Sequence, residues 1–138
     1  MSGYAVGRGD GWVYRHGVDF AVKAGELGTG NGAAVMEYLT AKGEEPPDHT
    51  HPTEDEMFYL VEGEVTFRCG DRSFDVGPGG FVFLPRGVEH GYSIASGGPV
   101  RFLVVTAPRR DDVKGWGGFI GGFEATAEQV KAPPDDGA

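Results

Sequence analysis

The sequence predicts an all-β fold, an antiparallel sandwich or barrel built from short strands. Apolar stretches alternate with turn residues through most of the chain, and Phe81-Val82-Phe83-Leu84, between Gly80 and Pro85, is one example. The 138 residues include 25 glycines, which favour many tight turns over long helices. Many short strands separated by turns are typical of antiparallel sandwiches and barrels. The length suits one domain with a sizeable core.

Side-chain alternation along these strands predicts which residues face the interior. Glu56, Phe58 and Leu60 share one strand face. His90, Tyr92 and Ile94 share a face in the same way. The strand at 33–40 also reads as helix in its early part. The strands expected in chain order are 12–15, 18–23, 33–40, 56–61, 64–69, 72–76, 81–84, 90–94 and 100–106.

Three regions differ in composition. Residues 1–32 begin with a loose glycine-rich stretch and continue with two short strands and turns, whereas residues 33–108 contain most of the expected strands. Residues 109–138 contain a mixture of glycines and aromatic residues at 115–123, a short helix at 126–131 and a loose polar tail. The glycine-aromatic segment is either a lid over the barrel mouth, a tail covering an apolar patch, or a dimer contact.

Three of the four histidines fall on one pattern with a glutamate. His49 and His51 lie two residues apart, so on an extended strand their side chains point the same way. Pro52 and Thr53 indicate a turn, after which Glu56 returns on the next strand toward the same point. His90 ends a later apolar run. Three imidazoles and a carboxylate suit one divalent transition metal, Fe, Mn, Ni, Cu or Zn, although histidines on a strand face can also be hydrogen-bonded core groups.

The spacing around these residues is specific. Gly43 opens the pattern G-x5-H-x-H-x4-E-x6-G, and Gly79 opens G-x5-P-x-G-x2-H, which ends at His90. Together these resemble the two signature motifs of the cupin superfamily, and the short interval 64–78 resembles the small single-domain bacterial cupins. The resemblance covers roughly residues 33–108. Ile94 departs from it, because the family often has asparagine there, which bears on local hydrogen bonding and not on the metal site.

The resemblance implies a cupin or jelly-roll β-barrel with a metal in its mouth, and a homodimer. Exposed edge strands also invite pairing, and the N-terminal strands are candidates for the dimer contact. Four protein ligands leave one or two coordination positions open for a ligand. Glu56 acts either as a general base or only in charge compensation. Phe58 and Tyr92 are expected to bind substrate, with packing in the wall as the alternative for Tyr92.

The function predicted from the resemblance to quercetin dioxygenase-like cupins is a metal-dependent dioxygenase. Its substrate is expected to be a small aromatic or enolisable molecule. One alternative uses the metal as a Lewis acid, in an isomerase or cyclase without oxygen chemistry. The other is a non-catalytic cupin that binds or senses a small molecule.

Several residues near the motif have less support from spacing. His16 lies beside Gly17 outside the motif, and it is either a fifth ligand or proton shuttle, or a surface histidine in a turn. Glu54, Asp55 and Glu89 are acidic neighbours of the ligands that we expect to be solvated.

Composition excludes several classes of partner. Lys and Arg number 12 against 21 Asp and Glu, giving a net charge of −9, which argues against nucleic acid and anionic membrane surfaces. Cys69 is the single cysteine, so no internal disulfide forms, as expected in a reducing cytoplasm. The sequence shows no secretory signal. It also shows no apolar run that approaches the ~20 residues of a membrane span. The chain is expected to be cytoplasmic.

Overall fold

The computed structural model describes residues 3–24, 34–52, 54–95, 97–108 and 127–132, and every regular element in them is a strand. None of these residues belongs to a helix long and apolar enough to cross a membrane. The strands are β1 (Trp12–His16), β2 (Val18–Ala24), β3 (Ala34–Thr40), β4 (Glu54–Glu62), β5 (Val65–Cys69), β6 (Arg72–Val76), β7 (Phe81–Leu84), β8 (His90–Ile94), β9 (Val100–Pro108) and β10 (Glu128–Lys131).

The strands form two antiparallel sheets. The larger sheet has seven strands in the order β10-β1-β2-β3-β9-β4-β7, and the smaller has three in the order β6-β5-β8. This confirms the predicted all-β, antiparallel jelly-roll architecture. Over the described residues the two sheets do not close into a continuous barrel. The N-terminal strands β1 and β2 are part of the larger sheet, so residues 12–24 extend the core that residues 33–108 were expected to hold.

The core confirms the predicted alternation of side chains. In β4, Glu56, Phe58 and Leu60 are buried, whereas Tyr59 and Val61 are exposed. Four aromatic residues pack between the sheets with ring centroids 5.1 to 6.1 Å apart, and such contacts add to the free energy of apolar burial. These residues are Phe58, Phe67, Tyr92 and Phe102.

The predicted C-terminal helix is wrong. Residues 128–131 form β10, which pairs antiparallel with β1, and Arg15 lies opposite Glu128. A six-residue helix would leave most of its own backbone groups unpaired, whereas a strand pairs its backbone with the outer edge of β1. The glycine-aromatic segment 115–123 and residues 133–138 of the tail lie outside the described residues.

The N-terminal stretch is held against the outer face of the larger sheet by a buried charge. Glu37 of β3 accepts hydrogen bonds from Gly9 N at 2.9 Å and from the guanidinium of Arg101, and it lies 2.8 Å from Lys23 Nζ. Lys23 Nζ also donates to the carbonyls of Gly7 and Asp10. Burial alone would raise the pKa of Glu37, but these donors and the charge of Lys23 outweigh it, and the pKa is lowered.

This cluster predicts a pH dependence of stability. Because the folded-state pKa of Glu37 is lowered, its stabilising contribution is present above the ordinary value of 4.5 and is lost as pH falls below it. We expect Glu37→Gln to lower the Tm at about pH 7, and the difference from wild type to shrink as the pH is lowered toward about 3. Thermal unfolding followed by circular dichroism at several pH values measures this.

The exposed Glu89→Gln serves as the control and is expected to unfold like wild type at each pH. A difference between Glu37→Gln and wild type that stays constant across the pH range would contradict this account of the charge cluster.

Candidate metal centre

The segment that carries His49 and His51 is tied to the start of β8. His49 N donates to His90 O and His90 N donates to His49 O, both at 2.9 Å. Farther along, Gly87 N donates to His51 O at 2.9 Å. These bonds align two parts of the chain that are far apart in sequence, so the ligands of both motifs approach one another.

A charge pair beside this bridge supports the same alignment. Arg68 Nη2 lies 2.6 Å from Asp48 Oδ1, and the hydrogen bond from Arg68 lowers the pKa of Asp48. A Cβ atom on Gly91 would collide with the Asp48 carboxylate. A glycine at this position therefore lets Asp48 cross β8 and reach Arg68 on β5.

Four ligand atoms converge as the spacing predicted. His49 Nε2 lies 3.2 Å from His51 Nε2, His51 Nε2 lies 3.2 Å from Glu56 Oε2, and His90 Nε2 lies 3.5 Å from Glu56 Oε1. One ligand atom from each of the four residues lies within 4.8 Å of all the others. Ligand atoms about 2.1 Å from one ion are separated by roughly 3 to 4 Å, so these distances fit a single metal ion.

The hydrogen bonds of the imidazoles also fit a metal. His49 Nδ1 lies 2.9 Å from Pro47 O, which favours a proton on Nδ1 and leaves the lone pair of Nε2 for a metal. His90 is 3% exposed, and neither of its ring nitrogens has a hydrogen-bond partner in the described chain. Buried polar atoms are normally paired, and binding a metal through Nε2, the His90 nitrogen that faces Glu56, would give that atom a partner.

The electrostatics of the cluster keep the carboxylate ionised. Burial would raise the pKa of Glu56, but the imidazoles of His51 and His90 outweigh it and lower the pKa to about 2. Conversely, the hydrogen bond and charge of Glu56 raise the pKa of His51 against the effect of burial, with a smaller contribution from Glu54. The cluster therefore contains one ionised carboxylate and three imidazoles whose nitrogen lone pairs can bind a metal.

The acidic neighbours of the ligands differ from expectation at one position. Glu54 is buried, with Oε2 3.9 Å from His51 Nδ1, and was wrongly expected to be solvated. The reason is that β4 begins at Glu54 and Glu54 shares the inward face with Glu56. Asp55 is half-buried and accepts a hydrogen bond from Arg86 N at 2.9 Å, whereas Glu89 is exposed.

A cavity of about 430 Å³ opens onto the ligand cluster, and His49 and Glu56 form part of its wall. Most of the remaining wall is apolar, with contributions from Val18, Phe20, Met36 and Val104. Tyr92 lines the cavity as its position in β8 predicted. His16 also lines it, although spacing gave this histidine no link to the metal motif.

Tyr38 is a cavity residue that the sequence reasoning missed. Its hydroxyl lies 3.1 Å from the hydroxyl of Tyr92, and both rings are buried. Burial raises the pKa of Tyr38 well above its ordinary value and raises that of Tyr92 to about 12, so both hydroxyls stay protonated at neutral pH. The shared inward face of Met36, Tyr38 and Thr40 in β3 is the signal that would have found it.

Phe58 lies beneath the cavity. Its ring packs against Phe67 and Phe102 with centroids 5.1 Å away, and against Tyr92 at 6.1 Å. Among the described residues it does not form part of the cavity wall. Phe58 supports Tyr92 from below, and its contact with a substrate stays a prediction.

The comparisons with known proteins agree with this architecture. No functionally curated protein sequence matches the chain. A cupin domain from Cnp3 of Schizosaccharomyces pombe superposes with a TM-score of 0.62 at 17% identity, covering 69% of this chain and 67% of that one. A predicted oxalate decarboxylase from Thermotoga maritima gives a TM-score of 0.61 at 22% identity, and the match covers 66% of this chain and 80% of that one.

A more similar sequence is that of the protein TT1209 from Thermus thermophilus. It is 34% identical to this chain, with a TM-score of 0.54, and the match covers 58% of this chain and 76% of that one. The model of the family described as Cupin domain matches residues 36–106, just over half of the chain. The chain therefore belongs to the cupin domain family.

Proposed function

We propose that the chain binds one divalent transition metal through His49, His51, Glu56 and His90 and acts as a metal-dependent dioxygenase on a small aromatic or enolisable molecule. The observation that carries this proposal is that His49 and Glu56 belong both to the ligand cluster and to the wall of an apolar cavity. A molecule in the cavity would therefore meet the metal directly. The ligand set of three imidazoles and one carboxylate suits Fe, Mn, Ni, Cu or Zn.

The residues around the cavity supply binding and proton transfer. A bound divalent ion would supply Lewis acidity and, where it is redox-active, electron transfer to dioxygen. Glu56 is ionised at neutral pH and can accept a proton from a substrate hydroxyl, but a pKa of about 2 makes it a weak base. Its general-base role therefore requires a substrate hydroxyl that becomes more acidic on binding. Otherwise Glu56 compensates charge.

The cavity wall favours an apolar substrate over a small dianion. Its volume of about 430 Å³ lies within the range of ligand sites, roughly 300 to 1,000 Å³. Within the described residues its wall contains no lysine or arginine, and its ionisable groups include the carboxylates of Glu44 and Glu56. Oxalate, the substrate predicted for the Thermotoga maritima protein, is a dianion that the metal could bind, but the described wall offers it no cationic side chain and its apolar part would stay unfilled. An aromatic or enolisable molecule with metal-binding oxygens matches both the metal ligands and the apolar wall of the cavity.

A Lewis-acid isomerase or cyclase is the second candidate, and the tyrosine pair favours it. The hydroxyls of Tyr38 and Tyr92 stay protonated beside the ionised Glu56, so a donor and an acceptor of protons share one cavity. The tyrosine hydroxyls can donate hydrogen bonds to negative charge that develops on a substrate oxygen, which would assist a proton shift within the substrate without dioxygen. A cupin that binds or senses a small molecule without turnover is the third candidate.

Metal analysis tests the first part of the proposal. We expect protein purified without chelator to carry close to one equivalent of a divalent transition metal, measured by inductively coupled plasma mass spectrometry. The double variant His49→Ala/His51→Ala should lose it, because half of the ligands are gone. Glu89→Gln, which changes an exposed acidic side chain beside His90, should keep it. Equal metal content in the two variants would contradict the assigned ligands.

Oxygen consumption separates the candidate reactions. We expect the iron-, manganese-, nickel- or copper-loaded protein to consume dioxygen with an aromatic probe that carries adjacent hydroxyl and carbonyl groups, such as 3-hydroxyflavone. Glu56→Gln should lower kcat by roughly 10² or more, as for loss of a general base, whereas Glu89→Gln should not. Turnover that persists without oxygen would favour the isomerase or cyclase. Binding without turnover in either atmosphere would favour the sensing role.

We also propose that the chain forms a homodimer. The edge strand β7 exposes Phe81 and Phe83, which are 60% and 49% accessible, and such an edge favours pairing with another chain. β10 covers the outer edge of β1, so the N-terminal strands expected at the contact are not themselves at the edge. We expect light scattering after size-exclusion chromatography to give twice 14.6 kDa, and Phe81→Asp to give the monomer. A wild-type monomer at micromolar concentration would contradict the dimer.

A further inference from the structure

We propose that the cavity contains a second polar subsite, formed by His16 and Glu44, which binds a hydroxyl group at the far end of an elongated substrate. The proposal rests on the proposed function in that the same cavity holds the substrate. It assigns a role to the one histidine that the metal cluster does not use.

The strand register places His16 at the far end of the larger sheet from Glu56. On β4, Glu56 pairs with Thr106 of β9, which in turn pairs with Ala34 of β3. The side chain of Tyr38 is four positions farther along β3, and Tyr38 pairs with Phe20 of β2. Glu56 is therefore in register with Ala34, and Tyr38 lies four residues farther along the strand direction.

His16 lies one inward-facing position beyond the level of Tyr38. Phe20 pairs with Tyr14 of β1, and His16 pairs with Val18 at the next inward-facing positions. His16 shares strand parity with Tyr14, which is buried in the core. His16 itself is exposed, so its imidazole lines the cavity where the cavity meets solvent, at the tip of the β1–β2 hairpin.

Glu44, which is exposed like His16, supplies a second polar group to the cavity wall. Thr40 Oγ1 and Ala41 N both donate to Glu44 Oε1, at 3.3 and 2.8 Å. These bonds orient the carboxylate and leave Oε2 able to accept from a ligand. Both Glu44 and Thr40 line the same cavity as His16.

The combination selects a particular ligand chemistry. Most of the cavity wall is apolar, so it accepts a hydrocarbon or aromatic body. At the far end a carboxylate accepts a hydrogen bond, and an imidazole nitrogen donates or accepts one. A hydroxyl group satisfies both partners, whereas a carboxylate on the ligand would be repelled by Glu44. The expected substrate therefore carries a metal-binding group at one end and a hydroxyl at the other, separated by an apolar body.

Two probes that differ only in the distal hydroxyl test this subsite. These are 4-phenylcatechol and 4-(4-hydroxyphenyl)catechol, titrated into zinc-loaded protein without oxygen, so that binding is measured in the absence of redox chemistry. We expect isothermal titration calorimetry to show the hydroxylated probe binding roughly three- to tenfold more tightly to wild type, the range for one net hydrogen bond. His16→Ala should reduce this preference to about one, and Glu44→Gln should reduce it in part.

Arg15→Ala is the matched control, because Arg15 is the neighbour of His16 on the opposite face of β1 and pairs with Asp19 at the surface. It should keep the wild-type preference. Equal affinity of wild type for the two probes, or an unchanged preference in both His16→Ala and Glu44→Gln, would overturn the subsite. Failure of both probes to bind would overturn the subsite together with the substrate cavity. A preserved preference without oxygen consumption would overturn only the dioxygenase assignment.

Discussion

The site depends on one pair of backbone hydrogen bonds, in which His49 and His90 exchange N–H and C=O groups at 2.9 Å. The segment that carries His49 and His51 precedes β4 and joins no extended ladder, so this bridge fixes its position against β8. The free energy of closing a long loop grows slowly with its length. Two short motifs far apart in sequence can therefore be joined at modest cost, while the pairing of β4 with β7 and β9 positions Glu56 beside them.

Sequence reasoning predicted what depends on local periodicity and missed what depends on distant contacts. Alternation correctly placed Glu56 inside, because a buried strand face has a strict period of two. Glu54 was missed because its burial depends on where β4 begins, and strand boundaries are the least certain feature of a sequence. Tyr38 and Tyr92 belong to different sheets, and their hydroxyls meet only because the two layers pack at a particular offset. The position of His16 at the cavity depends on the register of β1 with β2 and of β2 with β3, and each register is fixed by many residues together.

The larger sheet buries carboxylates on both of its faces, and Glu37 and Glu56 are neutralised differently. Glu37 on the outer face is paired with the basic side chains of Lys23 and Arg101, so the arrangement suits a structural role. Glu56 on the inner face is surrounded by imidazoles, which can be neutral and bind a metal or carry a proton. A buried charge needs a partner in either case. On the inner face, the imidazoles can supply that partner either as a bound metal ion or as a proton.

The cavity is assembled from two parts of the chain, and only one of them lies within the family match. All four candidate ligands fall within residues 36–106, whereas His16, Val18 and Phe20 lie before that region. The β1–β2 hairpin can therefore diverge in sequence without altering the ligand set, provided that it keeps its pairing with β3. Chains with the same metal motif would then evolve toward different substrates by changing an accessory hairpin. Exchanging this hairpin between relatives is a route to redesigning selectivity while the metal chemistry is left intact.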